Sequence, residues 1–356
     1  MIIDGLAPSD IATVAAGYGT GENSQNNVNT RSPRQTIYPK KSREDAPYSL
    51  TEAQLRQVIY IPSTFTYGQK PPLLMVPGTG SFGGVNFASN LRKLLTGTSY
   101  ADPVWLNIPG AMLGDAQVNS EYVAYAINYI AGISNRNISV TSWSQGGLDT
   151  QWAFTFWPST RKVVSDFLPV SPDFRGTVFA NALCLSGDSV IGLDPCDPAV
   201  IQQESTSNYI AALQSHGGGS AYVPTTTFYS GFFDEIVEPQ QGTGASAFIQ
   251  DARGVGVTNN EAQLVCPGQP AGGFYTHEGM LFNPITYALI VDALTHDGPG
   301  KTSRIDLSSV CQEIAAPGLS LTDVLATESL IAIAGALLLA YEPKMVTQPA
   351  LMPYAQ

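Results

Sequence analysis

A β-branched run at residues 138–142, Ile-Ser-Val-Thr-Ser, passes directly into Trp143-Ser144-Gln145-Gly146-Gly147, and a helical pattern follows over residues 148–156. A strand that gives way to a helix so abruptly leaves one side chain at the tip of a sharp turn. The turn closes only if the positions two before and two after the tip are small, because strand and helix nearly touch there. Gly146, with Gly147 beside it, meets the second requirement, and Ser142 stands where a glycine is usual. This junction commits the region to an α/β layer with Ser144 at the tip of the turn.

The rest of the chain has the same alternation. Short apolar runs at residues 73–76, 104–108, 167–170 and 225–229 read as buried strands, and longer periodic segments at residues 118–130, 284–294 and 321–340 read as helices. Ser320 and Asp323 form a capping box for the last of them. The expected class is α/β, a mostly parallel central sheet flanked by helices. With 34 glycines and 25 prolines among 356 residues, many connections are expected. Residues 17–47 are rich in Gly, Asn, Ser, Arg and Lys and nearly free of large apolar side chains. Residues 1–47 therefore read as an N-terminal extension or retained propeptide, and residues 48–356 as one domain. The cluster Lys40, Lys41 and Arg43 reads as a solvated loop, with a processing site as the alternative.

Only 13% of residues are charged and the net charge is −12, against roughly 25% charged residues in soluble domains. Seventeen Lys and Arg under an acidic total speak against nucleic acid, and 44% apolar residues exclude a disordered chain. With three histidines, no H-E-x-x-H and no C-x-x-C, neither metal nor other cofactor is expected. The four cysteines permit two disulfides without requiring them. The longest uncharged apolar run, residues 330–341, falls short of the 18 to 20 residues of a spanning helix, so no transmembrane segment is expected. MIIDGLAPSD at the N-terminus lacks the basic and apolar regions of a secretory signal, so the protein is intracellular or its signal precedes this numbering.

A serine hydroxyl needs a base to take its proton and a carboxylate to orient that base. On a strand–turn–helix nucleophile the chain order is Ser, then Asp or Glu, then His. His277, in the loop Gly272-Gly273-Phe274-Tyr275-Thr276-His277-Glu278-Gly279, is the favoured base. His216 precedes the best acid, and His296 ends a helix where it suits the dipole. Asp234, just past the strand at residues 225–229, is the favoured acid, followed by Glu235 and then Asp251. The loop Pro77-Gly78-Thr79-Gly80-Ser81 is placed to stabilise an oxyanion through the Thr79 N–H and hydroxyl, together with the Gln145 N–H. Gly78, Gly80 and Gly83 also spell G-x-G-x-x-G, with Asp102 at the spacing of a ribose contact. A dinucleotide site is disfavoured because the next helix is expected only near Phe87 and because Ser144, Asp234 and His277 would be left without a role.

Leu74-Met75-Val76-Pro77-Gly78-Thr79-Gly80, Met112-Leu113-Gly114-Asp115-Ala116-Gln117-Val118-Asn119, Trp143-Ser144-Gln145-Gly146-Gly147, Pro172-Asp173-Phe174-Arg175-Gly176-Thr177, Asp234-Glu235-Ile236-Val237 and Leu351-Met352-Pro353-Tyr354-Ala355 are collinear blocks. Together they resemble the Candida antarctica lipase B-like fungal serine lipases, from about Tyr48 to the C-terminus. The resemblance implies an α/β-hydrolase fold with a small helical lid-like segment. It also implies a cofactor-free serine lipase or carboxylesterase that cleaves esters such as triacylglycerols, at an oil–water interface, as a secreted monomer. It places Ser144, Asp234 and His277 in the triad and Thr79 and Gln145 in the oxyanion hole. Trp143 would floor the alcohol side of the pocket and Asp173 with Gln203 the polar foot of the acyl side, while Ile236, Ala332, Gly335 and Leu339 would form apolar wall.

Cys266 and Cys311 match cysteines of the family. Cys184 and Cys196 are additional and, if bonded, staple a lengthened lid-like segment at residues 181–203, a loop closure worth about 3 kcal/mol. The chain departs from the family pattern at Thr276, where an acid is usual, and by one extra residue before Asp234. An amidase or acyltransferase would use the same triad, and a non-catalytic binding protein on this fold is the remote alternative. The sequon Asn137-Ile138-Ser139 agrees with export.

Overall fold

The computed structural model describes residue 17, residues 19–184 and residues 195–356. The strands are β1 (Ile59–Tyr60), β2 (Pro72–Val76), β3 (Asp102–Leu106), β4 (Ile138–Trp143), β5 (Val164–Val170), β6 (Thr225–Tyr229) and β7 (Val257–Glu261). They form one seven-stranded sheet in the order β1-β3-β2-β4-β5-β6-β7. Only the β1–β3 pair is antiparallel. Every residue of β2, β3, β4 and β6 is buried, which is why those strands read as continuous runs rather than as alternating ones. β1 and β7 escape such a reading. One is two residues long, and the other, Val-Thr-Asn-Asn-Glu, is a half-exposed edge that needs no apolar run.

The helices that matter for the site are α1 (Glu52–Gln57), α2 (Ala116–Ser134), α3 (Gln145–Phe156), α4 (Val178–Leu183), α5 (Pro198–Gln202), α6 (Pro284–Thr295), α7 (Leu321–Glu328) and α8 (Leu330–Ala340). The sheet's side chains divide between two cores by the period of two. Leu74 and Val76 pack with Val123, Ile127 and Trp152 of α2 and α3, while Leu73 and Met75 pack with Ile285 and Leu289 of α6. The register pairs Val76 with Ser142, Trp143 with Val170, and Val170 with Phe228. The carboxyl ends of β2, β4, β5 and β6 are thereby level, and the loops that follow them meet along one edge.

The expected helix over residues 321–340 is two helices meeting at Ser329. The capping box at Ser320 and Asp323 is present. Near the break, the Thr327 and Ser329 hydroxyls donate to the carbonyls of Asp323 and Leu325, four residues back, a bonding pattern that bends helices. By length and composition Leu321–Ala340 suffices to cross a membrane, which the shorter uncharged run did not suggest. Here Ala326, Leu330 and Ala334 are buried in the body.

Residues 19–47 lie against the body. Ile37 and Ala46 join the α2–α3 core. The Asn29 amide donates to the carbonyls of Arg56 and Ile59 at 3.0 and 2.8 Å, and the Glu22 carbonyl accepts from the Trp105 indole and the Asn107 amide. Lys41 is not simply solvated: its ammonium donates to Asn128 at 2.9 Å, and burial lowers its pKa. Residues 1–16 and 18 of the expected extension lie outside the described residues. Asp45 is buried and accepts from the N–H groups of Ser42 and Ser159. Asp45→Ala is expected to cost about 1–3 kcal/mol by leaving those donors unpaired and to speed proteolysis near residue 43, as read by denaturant unfolding and limited trypsin digestion.

Candidate active site

Ser144 follows β4 directly and precedes the first residue of α3, with φ 53° and ψ −131°. A non-glycine residue with positive φ is held there only by its surroundings. Here the Ser144 N–H donates to the Val170 carbonyl, and the Ser144 carbonyl accepts from Gly147. A Cβ on Gly146 would collide with the carbonyl oxygens of Val76 and Pro77, so the small residue expected two after the tip is required by the neighbouring β2 loop. Gln145 opens α3, so its N–H belongs to the unsatisfied, positively polarised end of that helix.

His277 and Asp234 meet behind this turn. The His277 Nδ1 lies 2.9 and 3.0 Å from the two Asp234 oxygens, and both side chains are almost wholly buried. Asp234 Oδ1 also accepts from the N–H groups of Ile236 and Val237 at 3.1 and 2.8 Å. A proton on Nδ1 satisfies the carboxylate and leaves Nε2, which has no partner among the described residues, as the free base. The main chain of His277 is fixed as well. Its carbonyl accepts from the Ser171 hydroxyl and the Trp143 indole, and its N–H donates to Glu235. Burial alone would depress the imidazole pKa, but the Asp234 carboxylate, aided by Glu235 and Asp173, outweighs it and raises the value.

The other candidate acids and bases fall into different roles. Glu235 supports the His277 backbone. Asp251 holds a turn through the N–H groups of Val255 and Gly256. His216 bonds the Ala212 carbonyl, and His296, at the end of α6, bonds Asp292. The glycine-rich loop starts a short helix at Gly83, earlier than the expected Phe87. Asp102 is nonetheless taken by the Thr66 N–H and hydroxyl, so it is not a free ribose acceptor.

Ser144 and His277 both open on an apolar cavity of about 390 Å³, which Thr79, Trp143, Gln203, Ile236, Gly335 and Leu339 also line. Two expected pocket residues lie elsewhere. Ala332 is off the lining stripe, which on α8 runs Ile331, Ala334, Gly335, Leu338 and Leu339. That spacing of i, i+3, i+4, i+7 and i+8 is one helix face; Ala332, three residues before Gly335, fits the same periodicity, so spacing alone does not separate it from Ile331, Ala334 and Leu338. Asp173 does not line the cavity but is wholly buried, with neither oxygen paired among the described residues, and burial pushes its pKa up to about 7.

The sequence reading missed Phe179, Ala180 and Leu183 of α4 and Val200 of α5, which form the opposite wall. It also missed Asp149, one turn into α3, which accepts from the Gln145 amide. Burial, reinforced by Asp173, raises the Asp149 pKa. Cys184 is bonded to Cys196 and Cys266 to Cys311. Within the lid-like segment, residues 185–194 lie outside the described residues.

The polar end of the cavity is a closed amide network. Thr79 Oγ1 donates to Gln145 Oε1 at 2.7 Å and has Gln203 Oε1 at 3.2 Å, while the Gln203 amide donates to the same Gln145 oxygen at 3.1 Å. The Gln145 amide is spent on the Met112 carbonyl and Asp149. Gln145 is therefore held rigid below the site, and its Oε1 keeps the Gln203 amide when the Thr79 hydroxyl turns away.

Among known proteins, no family model matches the chain. It is 36% identical over 291 residues to lipase B of Pseudozyma antarctica, a match covering 80% of this chain and 79% of that protein. The crystal structure of Aspergillus fumigatus lipase B superposes with a TM-score of 0.93 at 51% identity, covering 100% of this chain and 84% of that one. The chain belongs to the lipase B family of ester hydrolases, built on the α/β-hydrolase fold.

Proposed function

We propose that the chain hydrolyses carboxylic esters of apolar acids, triacylglycerols among them, by two-step acyl transfer through Ser144. What carries this reading is the buried Asp234–His277 pair, 2.9 Å apart, behind a cavity that Ser144 and His277 share. His277 Nε2 takes the Ser144 proton as Oγ attacks the ester carbonyl. The tetrahedral oxyanion is met by the N–H groups of Thr79 and Gln145 and by the Thr79 hydroxyl, rotated from Gln145 Oε1. That oxygen keeps its bond from Gln203. Each such donor is typically worth about 2.7–4 kcal/mol in the transition state. Collapse expels the alcohol with the proton from His277, and water, deprotonated by His277, then releases the acid from the acyl-enzyme.

An apolar substrate is supported by the walls of α4, α5 and α8 and by an apolar rim on which Leu339 is 71% exposed and Phe179 39%. Two disulfides and the exposed Asn137 of the sequon support export.

Labelling with an organophosphonate p-nitrophenyl ester, read by mass spectrometry, should modify Ser144 alone. A chain-length series of esters beside matched anilides should show ester cleavage dominating. Label on another residue, or faster anilide cleavage, would refute the proposal.

The Cys184–Cys196 bond joins the end of α4 to the start of α5, both wall elements, and the Cys196 main chain pairs with Met345 beyond α8. Replacing both cysteines with serine should lower stability by about 3 kcal/mol in the chain-entropy picture. It should also shift preference between short and long acyl chains, as read by Tm and the ester series.

A further inference from the structure

Behind His277 lies a group of carboxyls that acyl transfer does not use. Glu278 is fully buried, and neither of its oxygens meets an N–H or O–H donor among the described residues. Glu328, the last residue of α7, closes on the same loop, its Oε1 3.4 Å from where a Cβ on Gly279 would stand. The Glu328 oxygens also accept from the Thr276 hydroxyl at 3.3 and 3.2 Å, while Thr276 Oγ1 accepts the Gly279 N–H at 3.0 Å. Glu235 completes the group, with Oε2 on the His277 N–H and Oε1 unpaired among the described residues. The charged groups facing the Glu278–Glu328 pair are Glu235 and, for Glu278, Asp234, with no lysine or arginine among them. Two carboxyls buried on one loop can bond each other only when one of them holds a proton. If both were ionised, they would repel without compensation, one of them at the helix end whose dipole also opposes negative charge.

We propose that Glu278 and Glu328 share a proton and so latch the His277 loop to the α7–α8 junction, and that loss of this proton loosens the pocket wall and the base together. The latch rests on the reading of His277 as base and α8 as wall. It also gives the departure at Thr276 a role: the acid usual there is absent, and a hydroxyl ties the loop to Glu328 instead. Burial, reinforced by the neighbouring carboxyls, pushes Glu278 well above the usual carboxyl range and Glu328 up to about 7. Both groups hold the proton more tightly when folded than when unfolded. Their contribution is therefore complete below the unfolded value of about 4.3 and is lost as pH rises through the folded ones.

The test is amide hydrogen exchange over residues 321–340 in the full chain at about pH 6 and about pH 9, corrected for intrinsic rates, beside kcat/KM for a soluble ester. The wild type should lose about tenfold in protection over that interval, with kcat/KM falling on the alkaline side. In Glu328→Gln the amide N–H donates to Glu278 without a titrating proton. Its protection should stay within about twofold, and its alkaline limb should move up by about one pH unit. Glu278→Gln, the reciprocal variant, carries the same expectation should the first fail to fold. Equal loss of protection in wild type and variant, or none in either, would overturn the latch whether or not ester is hydrolysed. A protection shift in a protein that cleaves no ester would overturn the hydrolytic reading and leave the latch standing.

Discussion

Ser144→Ala is expected to lower ester turnover by about four orders of magnitude or more while leaving the fold intact. Ser144 holds its backbone through its N–H to Val170 and its carbonyl to Gly147, not through its side chain. Alanine therefore keeps the turn, and Tm should change by no more than about 2 °C. What disappears is the oxygen that the proposed mechanism acylates. The residual rate comes from water attacking an ester still bound among the Thr79 and Gln145 donors. Turnover of a p-nitrophenyl ester beside a thermal melt decides the matter, and wild-type turnover in a folded variant would remove Ser144 from the mechanism.

Asp234→Asn should reduce kcat by about 10⁴-fold with little change in KM, by reversing the imidazole tautomer. The N–H groups of Ile236 and Val237 both donate to Asp234 Oδ1. They would hold the asparagine oxygen in that place and turn its amide nitrogen toward His277. An N–H pointing at Nδ1 forces the ring proton onto Nε2, which can then no longer accept from Ser144. The pH profile supplies a second reading. The Asp234 carboxylate raises the His277 pKa, so removing its charge should move the acid limb of the residual kcat/KM to lower pH. An unchanged limb with a large fall in kcat would mean that Asp234 acts only through packing.

The elements that carry the chemistry were the most legible in the sequence. β2, β4 and β6, and β5 beyond Ser165, are buried on both faces and announce themselves as apolar or β-branched runs. The Ser144 turn is marked by the glycines that the approach of strand to helix demands. His277 and Asp234, which the structure brings within 2.9 Å of each other, were proposed from chain order and from position after a strand, both consequences of the topology. The edges of the fold were less legible. β7 is polar because it has one neighbour only, and the break at Ser329 depends on hydroxyl-to-carbonyl bonds that periodicity does not register. Residues 1–47 read as an extension because residues 17–47 are polar, yet the Asn29 amide there pairs with specific carbonyls of the body.

By itself, the sequence determined the α/β class, the nucleophile turn and the candidate Ser144, Asp234 and His277, because each follows from local spacing and from the order of elements along the chain. The tertiary structure alone decided which face of α8 lines the cavity, that Asp149 and Gln203 hold Gln145 still, and that Glu278 and Glu328 meet. Those contacts join residues far apart in the chain, or depend on how a helix is rotated about its axis. Burial then sets which carboxyls keep a proton, a property that emerges only when water is excluded from around them.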